Sequence, residues 1–215
     1  MRQLGKLLAP AKNGSIVGSP AANRPNASDS SGLDDDRERI LTAAGHLFDE
    51  LGVADASLER IASQAGLPRS AVMGQFASKL DLITLYVDRW AAGRRAAAEA
   101  ERAKYDGDPR GVLLACAAII DDLNGTTTGR SWVHFAAELP DGHPVRQIVI
   151  ELRRWYLDFL TRELGQLGHQ EPMGTAATLL MFHTGAMTAA SLEGMGPQVG
   201  GQVRKLYGDL IDDTL

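Results

Sequence analysis

Residues 37–83, RERILTAAGHLFDELGVADASLERIASQAGLPRSAVMGQFASKLDLI, decide how this chain folds. Ile40, Leu41, Ala44, Leu47, Phe48 and Leu51 recur at helical spacing and line one face of an α-helix. Gly52 follows and is predicted to end it, because glycine tolerates the left-handed backbone that a helix C-terminus often needs. Ser57 is placed to cap a second, short helix through Leu58, Ile61 and Ala62, which stops at Gly66. Pro68 opens a third short helix to about Phe76, since its missing N–H costs nothing in a first turn. Ser78 and Asp81 then form an S-x-x-D capping box for a long helix through Leu82, Leu85, Tyr86 and Trp90 to about Lys104.

Beyond this stretch the helical pattern continues. Asp108-Pro109 begins a helix carrying Val112, Leu113, Cys116, Ile119 and Ile120, closed by Gly125. A helix over Trp132, Phe135 and Ala136 ends at Pro140, and His143-Pro144 opens a longer one through Val145, Ile148, Leu152, Trp155, Phe159 and Leu164. Pro172 to Glu193 and Gln198 to Leu215 complete about nine helices, with no convincing alternating strand. The fold class is all-α: a three-helix N-terminal unit fused to a larger helical bundle. Three regions are expected: a flexible tail at 1–33 rich in Gly, Pro, Ser, Asn and Ala, a helix-turn-helix domain at 34–81, and a helical domain at 82–215.

Composition excludes several classes. With 44% hydrophobic and 23% charged residues the chain is an ordinary globular one. A single cysteine, Cys116, rules out an internal disulfide framework, and its apolar surroundings point to an inert buried thiol. The five histidines are scattered, so no metal site is expected. The net charge of −5 excludes a uniformly basic nucleic-acid coat but leaves room for a local DNA-binding face. No secretory signal stretch precedes Pro10 and Lys12. The longest uncharged run, Pro172–Leu192, carries too many small and polar groups for hydrocarbon, so a protein-buried helix and a cytoplasmic protein are expected. No G-x-S-x-G, H-E-x-x-H or P-loop is present, and Gly194-Met195-Gly196 follows no strand. No enzyme and no cofactor are expected.

Two short helices, Ser57–Ala65 and Pro68–Gln75, joined by Gly66-Leu67, form a helix-turn-helix arrangement, whose second helix enters the DNA major groove. Leu67, Val72 and Phe76 should face inward, leaving Arg69, Ser70, Ala71, Met73 and Gln75 outside. Arg69 suits guanine or phosphate, Ser70 and Gln75 a base edge or phosphate, and Ala71 and Met73 a thymine methyl. Lys79 and Ser57 complete the candidate contacts, as phosphate-side groups; the bland alternative for each is plain solvated surface.

This segment resembles the DNA-binding domain of the TetR family of transcriptional regulators through Ile40, Ala43-Ala44, Leu47-Phe48, Gly52, Ser57, Ile61-Ala62, Ala65-Gly66, Phe76, Lys79 and Leu82. The resemblance implies a helical homodimer with a variable C-terminal ligand-binding domain. Phe135-Ala136-Ala137-Glu138-Leu139 followed by His143-Pro144-Val145 resembles one branch of that family. Three residues depart from its pattern. Met73 stands where a tyrosine is usual, Gln75 where a histidine is usual, and Pro68 in place of a hydroxyl cap. Met73 has no hydrogen to donate to a phosphate. Nine carboxylates against five cations also give residues 34–85 a charge of −4, whereas residues 1–33 carry +3. Weak or tail-assisted DNA binding is one reading; a tail without function, or an over-long start, is the other.

An effector cavity between bundle helices is expected among Trp132, His134, Phe135, Trp155, Tyr156, Met181, His183 and Met187, although such stripes also make simple core. His183, alone among apolar neighbours, reads as a hydrogen-bonded buried histidine or a ligand contact. Met173, Ala176, Ala177, Leu180 and Ala190, with Val203, Leu206 and Leu210, read as a four-helix dimer interface or as intramolecular core. A dimer would space two recognition helices at about 34–36 Å, one turn of DNA, on a palindromic operator. The expected function is a ligand-responsive regulator, released from its operator by a small molecule through the helix from Leu80 to Lys104. The alternatives are a regulator with weak DNA binding acting through protein partners and, further off, a helical enzyme.

Overall fold

The computed structural model describes residues 27–123, 136–137, 139–193 and 196–212. Every regular element among them is helical: α1 Ala27–Asp55, α2 Leu58–Ala65, α3 Arg69–Gln75, α4 Lys79–Lys104, α5 Pro109–Leu123, α6 Pro144–Gln166, α7 Pro172–Glu193 and α8 Gly196–Asp212. The all-α expectation holds; the short helix expected around Trp132 falls largely outside the described residues. The chain divides into two compact units, residues 1–86 and 87–215, and α4 runs through the division. Helix α1 begins at Ala27, so residues 27–33, read from sequence as the end of a tail, are helical.

In the first unit α1, α2 and α3 pack on one another. Ile40, Ala44, Ile61, Val72 and Leu82 are fully enclosed, and Phe48 and Phe76 nearly so. These are the periodic apolar positions of the sequence, and burying each large one contributes about 1.5–3 kcal/mol. Gly52 breaks α1 with φ 80° and ψ 163°, a backbone open only to glycine, and a last turn to Asp55 follows the kink. Ser57 caps α2, its Oγ accepting from the Arg60 amide at 3.3 Å. Gly66 (φ 66°, ψ 33°) closes that helix, with the Gly66 amide donating to Ser63 and the Leu67 amide to Ala62. Ser78 caps the start of α4, the Asp81 amide donating to Ser78 Oγ at 3.1 Å, the serine half of the expected capping box. Pro68 sits one residue earlier than expected, at the cap of α3 rather than in its first turn.

In the second unit α5, α6, α7 and α8 pack around Leu113, Ala117, Phe159, Leu164, Ala176, Leu179, Tyr207 and Ile211. His143 caps α6 through Nδ1, which accepts from the Val145 amide at 3.3 Å, and Pro144 follows in the first turn. Tyr207 Oη donates to the Leu179 carbonyl at 3.1 Å, satisfying a buried hydroxyl. Cys116 is buried, and desolvation pushes its thiol up to about 12, so it stays protonated and inert. No helix among the described residues is long and apolar enough to cross a membrane.

Candidate nucleic-acid interface

Helix α3 is seven residues long and turns a single large apolar side chain, Val72, wholly inward. Phe76 closes it from the cap position, its amide donating to the Val72 carbonyl at 2.9 Å. Helical spacing then sets Arg69, Ser70, Met73 and Gly74 on the exposed side, with Met73 at 42% exposure. Ala71 and Gln75 are half-buried at its edge. No side chain caps the start of α3, so its first amides face outward without an internal acceptor.

The polar candidates are already engaged by the chain itself. Arg69 Nε pairs with Glu59 Oε1 at 2.9 Å, across the turn between α2 and α3. Gln75 Nε2 donates to the Leu33 carbonyl at 3.0 Å, and Lys79 Nζ to the Ala54 carbonyl at 3.0 Å. Ser57 is committed to the α2 cap. The carboxyl of Glu59 is held below its ordinary range, first by its own backbone amide at the helix start, then by Ser57 and Arg69. A solvent-screened pair such as Arg69–Glu59 is weak, so a phosphate or base edge can displace it.

Two residues that the sequence reading passed over hold this face in place. Arg39 reaches from α1 to the end of α2, where Nη2 donates to the Ala65 carbonyl at 2.7 Å and the Gly66 carbonyl at 3.3 Å. Arg37 lies over the Phe76 ring, 5.2 Å from its centroid. The contacts of Arg39 link residues 26 and 27 positions apart, which no local pattern displays. Gly74 was also passed over; open space surrounds the place its Cβ would take, so the α3 backbone presents a bare surface there.

In the second unit the expected cavity and interface residues separate. Trp155 stacks on Phe159 at 5.1 Å and meets Tyr156 edge-on, and Tyr156 Oη donates to the Arg94 carbonyl at 3.2 Å. Both belong to the packed core margin. Met181 is 63% exposed rather than enclosed, because α7 buries Ala176, Leu179 and Leu180 and turns Met181 to another flank. The Nδ1 of His183 is enclosed without a hydrogen-bond partner among the described residues, contrary to the hydrogen-bonded histidine expected there. Desolvation, then Arg94 and Arg153, lower its pKa to about 3. Trp132, His134 and Phe135 lie outside the described residues, as do the side chains of Met187, Ala190 and Val203. Of the expected interface, Ala176 and Leu180 are spent in the protomer's own core, and Ala177 and Leu210 are half-buried. Met173 and Leu206 are exposed, beside Met181 and Phe182.

Residues 40–84 match the family model described as bacterial regulatory proteins, tetR family. The HTH-type transcriptional regulator AcrR of Shigella flexneri is 37% identical over 95 residues, covering 43% of this chain and 42% of AcrR. The matched stretch therefore spans less than half the length of that curated relative. Among solved structures, SCO4454, a TetR-family transcriptional regulator from Streptomyces coelicolor, superposes with a TM-score of 0.76 at 29% identity, over 84% of this chain and 96% of that one. The SmeT–triclosan complex shares the fold, with a TM-score of 0.64 at 23% identity over 80% and 89% of the two chains.

Proposed function

We propose that this chain is a regulator of the TetR type, on its likeness to that family's model and structures, that binds operator DNA as a homodimer and releases it when a small molecule occupies its C-terminal unit. One observation carries the DNA-binding part. A capped α2, a left-handed Gly66 and a short α3 set Arg69, Ser70 and Met73 outward within the segment that matches the family model. Ser70 and Arg69 take bases or phosphates there, Met73 and Ala71 make apolar contact, and Gln75, Lys79 and Ser57 lie on the backbone side. The target places the protein in the cytoplasm, with no membrane partner. The helical-enzyme alternative falls with the family assignment.

The ligand and the dimer rest on separate observations. A structural neighbour holds triclosan, and here the enclosed Nδ1 of His183, without a hydrogen-bond partner among the described residues, offers an effector a polar anchor. Met181 and Phe182, adjacent on α7, and Leu206 on α8 are exposed apolar side chains that a second copy would cover. The effector acts by favouring the state in which two α3 helices no longer match successive major grooves, and α4, shared by both units, is the connecting rod.

Selection from random duplex DNA with the purified full chain tests the reading. A palindrome with half-sites about one helical turn apart is expected, and absence of any selected sequence overturns it. The prior engagement of Arg69, Gln75 and Lys79 by the chain itself favours a second reading, a regulator working through protein partners. A steep fall of DNA affinity with rising salt argues against that second reading. Deleting residues 1–26, ahead of α1, tests the basic tail as a DNA arm: unchanged affinity and salt slope discard it.

A further inference from the structure

In the second unit, the last turns of α4 and α6 and the turn leading into α5 enclose a polar cavity of about 280 Å³. Glu99, Asp106, Asp108 and Glu163 line it together with Gln166 and one cation, Arg102. Most of these charges have internal partners. Arg102 pairs with Glu99 at 2.8 Å, and Asp108 Oδ1 accepts from the Gly111 amide at 2.9 Å. Glu163 is different. It is 1% exposed, and its Oε1 is enclosed with no hydrogen-bond partner among the described residues. Desolvation raises its pKa, with Arg102 and Arg162 opposing that shift. A carboxyl group withdrawn from water without a donor is costly, so native proteins seldom leave one unless something fills the vacancy.

The surroundings select the sign of the missing partner. The carboxylates outnumber the single guanidinium, and the last turns of α4 and α6 and the first turn of α5 all contribute to the lining, so the side-chain charge sets the sign. Among the described residues no three His, Cys, Asp or Glu side chains gather closely enough to hold a metal ion. A donor carried on a small organic frame meets that demand, and Tyr105 adds an aromatic side to the lining. The volume lies at the small end of ligand pockets, which limits the molecule to a compact one.

We propose that this cavity binds a small organic cation, a primary amine or a guanidinium, whose N–H groups donate to the buried carboxylate of Glu163. The proposal goes beyond DNA binding and does not depend on it. Calorimetry and amide NMR on the full chain test it with 1,4-diaminobutane, agmatine and the neutral 1,4-butanediol. Saturable binding of at least one cation is expected, none of the diol, with shifts centred on residues 105–109 and 163–166. Glu163→Gln should weaken that binding about tenfold or more, the effect of losing a charge-assisted hydrogen bond. Equal binding of diol and cations, shifts centred elsewhere, no cation binding, the same shifts from Mg²⁺ or Ca²⁺ alone, or unchanged affinity in a folded Glu163→Gln protein each overturn it. If that variant does not fold, the diol comparison and the shift map on the wild-type chain decide.

Discussion

Arg69 is held by Glu59 in the free protein, and that pair sets the electrostatics of the recognition face. On the proposed DNA contact, Glu59 would be a negative charge beside the phosphate backbone, and it occupies the guanidinium that DNA would use. Glu59→Gln is therefore expected to tighten operator binding about three- to tenfold at low salt, whereas Arg69→Ala weakens it about tenfold or more. Fluorescence anisotropy with the selected operator measures both, and equal affinities for all three proteins remove Arg69 from the contact set. His183 offers a second test. Its folded-state pKa of about 3 lies below its ordinary 6.5, so between these values the unfolded chain binds the extra proton. Its contribution to stability is thus present above about pH 6.5 and is lost as pH falls toward 3, by at most about 1.4 kcal/mol per pH unit. His183→Leu should flatten the denaturation midpoint over that range relative to wild type; parallel curves would contradict the assignment.

Helices α2 and α3 keep their angle because their ends are tied, not because either is long. Arg39 holds the C-terminal carbonyls of α2, and Gly66 gives the left-handed turn beside it. Arg39→Ala is expected to cost about 1–3 kcal/mol in urea denaturation, since two carbonyls lose a charged donor. It should also weaken DNA binding beyond what one lost surface charge explains. Gly74 sits in the interior of α3, and Gly74→Ala should stabilise the protein by up to about 1 kcal/mol through helix propensity. The added methyl meets no atom of this chain, so a simultaneous loss of operator affinity would place DNA against that backbone. Gained stability with unchanged affinity would remove Gly74 from the interface. The serine caps at Ser57 and Ser78, the broken helix at Gly52 and the inward Val72 were all legible in sequence, because each rests on neighbours within a few positions. Arg39 was not, because its carbonyl partners are brought to it only by packing.

For the assembled protein, the exposed apolar side chains of α7 and α8 predict the outcome of a simple experiment. Met181→Glu with Leu206→Glu should shift the chain toward monomer in sedimentation velocity while leaving helix content unchanged, since both side chains lie outside the protomer core. Operator affinity should fall with it, because a single α3 reaches one half-site. A double variant that remains dimeric places the interface elsewhere. The small-residue stripe read from sequence ran through Ala176 and Leu180, which the protomer buries in its own core. Helix α7 is apolar on nearly every side, so periodicity could not tell which side meets its own chain and which is left bare.

The sequence alone determined that this chain is helical, where most of its helices start and stop, and that residues 57–76 form a helix-turn-helix. Those features follow from local rules: periodic apolar side chains, capping hydroxyls, and glycines at left-handed turns. Tertiary packing decided which polar groups are free and which are held. It paired Arg69 with Glu59, anchored Gln75 and Lys79 on distant carbonyls, and turned Met181 outward. It also enclosed Glu163 Oε1 and His183 Nδ1 without a hydrogen-bond partner among the described residues. The reason is that a hydrogen-bond partner or a burial depends on segments far apart in the chain, whose approach is set by the summed packing of several helices and not by any one of them.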